Sequence, residues 1–280
     1  MNAFSKAPSH ISAIVLRRQE IALRCFRLTL QAPLEVRPRA GQFMHVLTRE
    51  QEQFDPLLRR AFSVARLHDD GFDLVYRVGG KGTQALSRLL PGAFVDVLGP
   101  LGCPFHTGQL EAGSQPLWLV GGGVGVPPLA MLAQQQMHAV GQMINGFKAF
   151  VGARTGGELL CLDDLTDAGM DILTATEDGS VGARGYVTQL LEQHLSRHLS
   201  GSEIKPMVCA CGPTPMLRAV AEICARFQVP CQVSLEESMP CGIGVCNGCV
   251  VAVNNATDDY GTYQRLCVQG PVLWAHEIAW

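Results

Sequence analysis

Cys241, Cys246 and Cys249 lie in the run PCGIGVCNGCV, and Cys267 follows in RLCVQG, giving the spacing C-x4-C-x2-C-x17-C. Three thiolates from one tight loop and a distant fourth is the pattern by which proteins hold a [2Fe-2S] cluster, each iron taking two soft sulfur ligands. Such a loop must bend sharply. Gly242, Gly244 and Gly248 are expected to supply backbone at positive φ, which lets loop amides turn toward the sulfurs and tune the potential. Zinc is the rival metal. It prefers C-x2-C pairs closed into a tetrahedron, and the x4 gap weighs against it.

Other segments could hold phosphate-bearing cofactors. LVGGGVGVPP, residues 119–128, puts glycines between an apolar strand and a helix, where the backbone can approach a pyrophosphate at a helix N-terminus. A plain tight turn is the other reading. CACGPTPM, residues 209–216, ends a later strand, and Pro215 suits the first helical turn. There Cys211 would face a ligand crevice, or Cys209 and Cys211 would simply be buried. In RRAFSV, residues 59–64, an arginine could pair with phosphate, the aromatic lie against a flavin ring and the serine reach its polar edge; a surface arginine pair and a core phenylalanine is the alternative. GGKGT, residues 79–83, reads as a phosphate nest or an ordinary loop. In TEDGS, Glu177 or Asp178 could accept from ribose hydroxyls or stand as solvated acids. His194 and His198 share a helical face with no third ligand and read as surface residues.

These segments need a scaffold. From residue 12 to 100, the runs Ile11–Arg17, Ala22–Leu30, Gln42–Leu47, Ala61–Leu67, Phe72–Val78 and Phe94–Leu98 predict six short strands of an antiparallel barrel or sandwich, with one helix near Gly82–Leu90. Strands and helices then alternate. Strands are expected at Pro116–Val120, Phe147–Ala153, Asp171–Thr176, Lys205–Cys211 and Gln232–Leu235, between helices at Leu129–Met137, Leu159–Ala168, Tyr186–Leu199 and Thr214–Phe227. That alternation predicts a parallel sheet covered on both faces. Residues 236–280 are too few for a large core and should be stapled by the cluster, with Val272, Leu273 and Trp274 packing it down. The expected division is 1–108, 109–235 and 236–280. The formal net charge of -3, with only 17% charged residues, offers no basic stripe for nucleic acid. The apolar stretch Pro116–Ala133 is broken by glycines and prolines and is a poor membrane span, and no secretion signal is read at the N-terminus. Eleven cysteines then point to a reducing cytoplasm. Cys25, Cys103, Cys161, Cys224 and Cys231 lack ligand spacing and read as small buried hydrophobes.

In this order, RAFSV, GGKGT, LGPLG, GGGVGVPP, TEDGS, CGPTPM and EESMPCGIGVCNGC resemble the electron-transfer subunit of class B dihydroorotate dehydrogenase, an iron-sulfur flavoprotein family of the ferredoxin–NADP reductase superfamily, over residues 12–280. The resemblance implies FAD in the barrel and NAD(H) in the middle domain. Arg60, Phe62 and Ser63 would contact the flavin, and Gly82 and Thr83 its pyrophosphate, with Val78 and Gly80 beside them. Gly121, Gly122, Gly123, Gly125, Cys211, Gly212 and Pro213 would form the nicotinamide-nucleotide side, and the four spaced cysteines would hold the cluster. It further implies an FMN-containing dihydroorotate dehydrogenase partner in a heterotetramer with two copies of each chain, and electrons passing between it and NAD through the cluster and FAD. No side-chain acid or base is then needed in this chain. Related modules serve hydrogenases, sulfide-type reductases and oxygenases, so another partner is the alternative. Departures from the family pattern are Ala61 in place of proline, Cys103 in a slot near the flavin usually held by a small polar residue, and the long x17 gap, which predicts a reshaped loop over Val251–Gln264. Arg154 stands alone at the end of the second strand of the middle domain, which favours NADH over NADPH.

Overall fold

The computed structural model describes residues 8–33, 35, 37–48, 54–106, 115–140, 146–255 and 261–280. The expected division at 108/109 lies outside these. Six strands, β1 (Ser9–Ala22), β2 (Cys25–Gln31), β3 (Phe43–Val46), β4 (Arg60–His68), β5 (Gly71–Arg77) and, after helix α1 (Lys81–Leu86), β6 (Phe94–Leu101), close into a barrel in the order β1-β2-β5-β4-β3-β6. Every pairing is antiparallel. β1 shows the expected alternation: Ile11, Ala13 and Val15 point into the barrel and their neighbours toward solvent. β3 departs from it, since all four residues are buried. Met44 and Val46 belong to the barrel core, whereas Phe43 packs in a second core with residues of the C-terminal segment. A strand covered on both sides loses its period-2 signature.

The remaining chain runs β7 (Leu117–Gly122), α2 (Val126–Val140), β8 (Lys148–Ala153), α3 (Leu162–Asp167), β9 (Asp171–Thr176), β10 (Ala183–Arg184), α4 (Val187–Gly201), β11 (Met207–Cys211), α5 (Thr214–Phe227), β12 (Cys231–Ser234), β13 (Val250–Ala252), β14 (Tyr263–Arg265) and β15 (Val272–Trp274). Seven of these strands form one sheet, β10-β9-β8-β7-β11-β12-β15, parallel except for β15. Alternate side chains of β7 serve opposite faces: Leu117 and Leu119 join the core with α2, α3 and the barrel, while Trp118 and Val120 join α4, α5 and the C-terminal segment. His194 and His198 are half-buried rather than solvated, set edge-on against Phe150 and Trp118. The two-residue strand β10 carries too little pattern to be read in advance. β15 is continuous with the sheet: it pairs antiparallel with β12, Val233 opposite Leu273. Among the described residues no helix is long and apolar enough to cross a membrane.

The barrel and the sheet are tied by polar contacts that match buried backbone to side chains. Gln134 of α2 accepts from Leu67 N–H and donates to its carbonyl, both at 2.9 Å, and Gln135 accepts from Ala40 N–H at 2.8 Å. Arg27 of β2 bridges buried Asp73 of β5 and buried Asp164 of α3, and Arg66 of β4 reaches Asp164 and Asp167. Hydrogen bonding to Asp164 is the main cause that raises the Arg27 pKa, against the cost of its burial.

Candidate functional site

The sheet reverses direction of growth at β7: β8 and β9 lie to one side and β11 and β12 to the other. Ligands of such sheets bind in the crevice beyond the strand ends at this point. A cavity of about 520 Å³ opens there, lined by Gly122, Gly123, Arg154, Glu177, Pro213 and Met216 among others. Gly123 has φ +55° with nothing near the place of a side chain, so its backbone is open to a ligand. The other glycines of the turn answer to packing. A Cβ on Gly125 would lie 2.3 Å from the Cys211 carbonyl oxygen, and one on Gly121 would lie 2.8 Å from Val126. Gly212 approaches the Gly122 amide, where a Cβ would sit 3.1 Å from it. Hence the run GGGVG divides between close approach of a helix to the strand ends and exposure of backbone to the cavity.

A second cavity, about 280 Å³, lies between the barrel and these strand ends. Phe62, Ser63 and Thr83 meet Cys211 there, joined by Tyr76, Arg77, Val124, Ser234, Glu236 and Met239. The Phe62 ring meets Tyr76 edge-on at 5.6 Å, and Tyr76 stacks on Phe26. Buried Tyr76 Oη and Thr48 Oγ1 have no hydrogen-bond partner among the described residues, and burial pushes the Tyr76 pKa up. Tyr76 lines this cavity and Thr48 lies beside Gly82 of the glycine loop, and unpartnered buried hydroxyls at these places suit a polar, planar ligand such as a flavin nucleotide. Burial also raises the Cys211 pKa, so the thiol stays neutral. The protein around the Glu236 carboxyl raises its pKa, although the residue keeps exposed surface.

Arg59 is structural, donating to the Asp96 carboxylate at 2.8 Å and to the His45 and Asp96 carbonyls. Arg60 differs: it donates to the Leu58 and Arg59 carbonyls, and among the described residues it has no carboxylate partner. Its side chain runs beside Gly82, where a Cβ would sit 3.3 Å from Arg60 Nε and 2.8 Å from Thr48 Oγ1. Gly80 is open, with nothing within 4 Å of a Cβ position. The Thr83 hydroxyl accepts from Gly79 and Gly80 N–H and donates to the Gly80 carbonyl, shaping the loop itself. Val78 gives its N–H to the Arg24 carbonyl and packs on the barrel core. An unpaired guanidinium beside an open glycine loop fits a pyrophosphate.

The hairpin explains how the distant cysteine reaches the loop. β13 and β14 pair with Val250 opposite Arg265, so Cys249 before one strand lies beside Cys267 after the other. The Leu266 N–H donates to the Cys249 carbonyl at 3.1 Å, and the Cys267 N–H points at Cys249 Sγ at 3.4 Å. The x17 gap therefore holds this hairpin, of which residues 256–260 lie outside the described residues. The Cys267 thiol feels both Cys249 and Cys241, so the loop and the hairpin bring these thiols into one neighbourhood. Within it they contact in pairs, Cys241 with Cys246 and Cys249 with Cys267, which suits two irons of two thiolates each. At Cys241, burial pushes the thiol up but is outweighed by the amides of Cys246, Ile243 and Val245, which bring it down to about 7. Cys249 is lowered to about 6, chiefly by the Cys267 thiol, whose own proton is correspondingly hard to remove. Gly242 and Gly244 take positive φ, as expected. Gly248 does not: Asn247 makes that turn at φ 55°, and Gly248 is small because a Cβ would press on Pro240 at 3.1 Å. Cys103 lies against this unit, its thiol donating to the Val268 carbonyl at 3.3 Å.

Sequence reasoning missed Tyr76, Arg77, Glu236 and Met239. Tyr76 and Arg77 sit one strand across from the RAFSV run and immediately before the glycine loop, which was the available signal. Glu236 and Met239 reach the cavity only because the chain turns back after β12.

Residues 236–279 match the family described as the iron-sulfur cluster binding domain of dihydroorotate dehydrogenase B, and residues 119–222 match the oxidoreductase NAD-binding domain. The chain is 36% identical over 269 residues to the dihydroorotate dehydrogenase B (NAD(+)) electron transfer subunit of Bacillus pumilus (strain SAFR-032), covering 95% of this chain and 96% of the relative. It is 40% identical over 268 residues to the same-named subunit of Bacillus caldolyticus, covering 94% and 96%. Among solved structures, an NADH-dependent reduced ferredoxin-NADP oxidoreductase, described for flavin-based electron bifurcation, superposes with TM-score 0.77 at 27% identity, over 96% of this chain and 90% of that one. The paired thiols, the two cavities and full-length similarity agree: the chain belongs to the dihydroorotate dehydrogenase B electron transfer subunit family and is an NAD-linked flavin and iron-sulfur oxidoreductase component.

Proposed function

We propose that this chain passes electrons between NAD(H) and an FMN-containing dihydroorotate dehydrogenase catalytic subunit, in a cytoplasmic assembly with two copies of each chain. The observation that carries the reading is the position of the smaller cavity. Its walls include Cys211 at the end of β11 and Met239, two residues before the first cluster cysteine. One flavin site thus touches both the nucleotide crevice and the cluster loop. Bound FAD and the [2Fe-2S] cluster supply the change between two-electron hydride chemistry and single-electron transfer. The chain's own residues do the positioning. Phe62, Ser63 and Tyr76 bound the flavin ring, while Arg60, Gly80, Gly82 and Thr83 shape its phosphate site. Gly122, Gly123 and Pro213 offer backbone to the nicotinamide nucleotide, and Cys211, its thiol kept neutral by burial, lines the junction with Glu236. The units 1–108, 109–235 and 236–280 would carry flavin, nucleotide and cluster respectively. Free thiols throughout, including buried Cys224 and Cys231, suit a reducing compartment.

Affinity purification of the native protein with cofactor analysis tests this reading. Co-purification of an FMN enzyme that oxidises dihydroorotate, with FAD and cluster iron on this chain, is expected. Co-purification of a hydrogenase or oxygenase instead, or a chain without flavin, would overturn it.

NADH selectivity follows from charge. Arg154 is clasped by Glu158 through two bonds, at 3.0 and 2.5 Å, and that contact is the main cause holding Glu158 below the usual carboxylate range. Glu177 lines the same cavity and, among the described residues, forms no salt bridge. A 2′-phosphate would meet this carboxylate. Replacing Glu177→Ser should improve kcat/KM with NADPH relative to NADH by about tenfold, ~1.4 kcal/mol of relieved repulsion. Steady-state rates with both nucleotides check this; an unchanged ratio would place the selectivity elsewhere.

A further inference from the structure

His45 belongs to β3, whose Met44 and Val46 fill the barrel. Its ring points outward, yet only 1% of the residue is exposed. The reason is the cluster loop, which covers it. Nε2 lies 2.9 Å from the Met239 carbonyl, and a carbonyl only accepts, so Nε2 carries the proton. Nδ1 is then a bare lone pair, enclosed and without a hydrogen-bond partner among the described residues. Gly242, the residue after Cys241, lies directly over it: a Cβ there would stand 2.7 Å from Nδ1 and 3.0 Å from Cε1. Gly242 also needs φ +70°, so this contact and the turn require glycine together. On the other side, the His45 ring meets Phe43 edge-on at 6.3 Å. Phe43 and Met239 both line the flavin cavity. Burial, and the nearby Arg59 and Arg60, lower the imidazole pKa against the pull of the Met239 carbonyl.

We propose that His45 is a positioning residue for electron exchange between flavin and cluster: it clasps the loop Met239–Gly242 against the flavin-cavity wall and so sets their separation. The proposal rests on the function proposed above. It separates two parts of that function, because His45 contacts the cluster loop and the cavity wall and is not among the residues lining the nucleotide crevice. Loss of the clasp should slow transfer to the cluster and leave hydride transfer from NADH alone.

The test uses full-length protein carrying FAD and cluster, as wild type, His45→Gln and His45→Leu. Glutamine keeps an N–H donor for the Met239 carbonyl; leucine keeps bulk only. Anaerobic stopped-flow with NADH reads flavin bleaching and cluster bleaching separately, each NADH oxidised delivering two electrons that are counted at the two centres. Electron paramagnetic resonance of the reduced cluster is the second readout. In His45→Leu, flavin bleaching should stay within about twofold of wild type. Cluster bleaching should slow about tenfold or more, the scale on which groups supporting metal ligands act, with an altered resonance line shape. His45→Gln should recover most of the rate and the wild-type line shape. Loss of cluster from the leucine variant alone supports the clasp equally. Wild-type rate and line shape in His45→Leu overturn it, as does a glutamine variant that behaves like leucine or a cluster lost from both. If NADH fails to reduce the cluster even in wild type, the functional reading falls first and the proposal with it.

Discussion

Cys249→Ala is expected to leave a flavoprotein that NADH still reduces but that has no stable [2Fe-2S] cluster. Reduction of a one-electron acceptor fed through the cluster should fall by at least about 100-fold, the upper end of losses seen when only supporting groups around a metal are removed. Cys249 is buried at the base of the hairpin, accepts the Cys267 N–H and pairs with the Cys267 thiol. Removing it takes one of the two sulfurs due to one iron, and no other described thiol is paired into that position. The flavin cavity contains none of the four ligands, so NADH-driven bleaching of the flavin should remain within about twofold of wild type. Iron content, visible absorbance and resonance spectra after reduction check the first half, and stopped-flow checks the second. A variant that kept a normal cluster would remove Cys249 from the ligand set.

Arg27→Met should lower the stability of the chain by ~3–5 kcal/mol, because it strands two buried carboxylates. Arg27 is 20% exposed, Asp73 3% and Asp164 6%, so neither acid can recover full hydration in the folded state. Arg66 and His68 reach these acids from the rim but cannot replace a guanidinium set between them. Urea unfolding of the FAD-loaded protein at neutral pH measures the loss, read at constant m-value. Arg218→Met is the contrast: its contact with Glu222 spans 3.4 Å with both side chains more than half exposed, and the change should stay within ~0.5 kcal/mol. Because the Arg27 network joins β2 and β5 of the barrel to α3 of the other unit, its loss should also loosen the seam on which the flavin cavity depends. Equal effects of the two substitutions would mean that burial does not govern the Arg27 pair.

How much of this was legible in advance depended on how local each signal was. The cysteine spacing is local chemistry, since a cluster constrains which residue types sit in one short loop. Barrel strands exposed on one face, such as β1, carry the alternation that marks them, and the βα alternation of the second half shows in apolar runs punctuated by glycine and proline. The six barrel strands and the main elements of the parallel sheet could therefore be read from the chain alone, as could the cluster loop and the family resemblance. Other features depended on what covers what. β3 is buried on both faces because the C-terminal segment lies over it, and β15 completes the sheet by pairing antiparallel with β12. Neither contact leaves a periodic trace in its own residues. The glycines of GGGVG look alike in sequence, yet the backbone of β11 assigns Gly125 to packing while Gly123 faces the cavity. Only the hairpin register brings Cys267 to Cys249, and only the fold sets His45 against Gly242. Sequence by itself determined which groups this chain carries for electron transfer; tertiary structure decided which of them touch, because contacts between distant segments arise from the closure of the barrel, sheet and hairpin on one another.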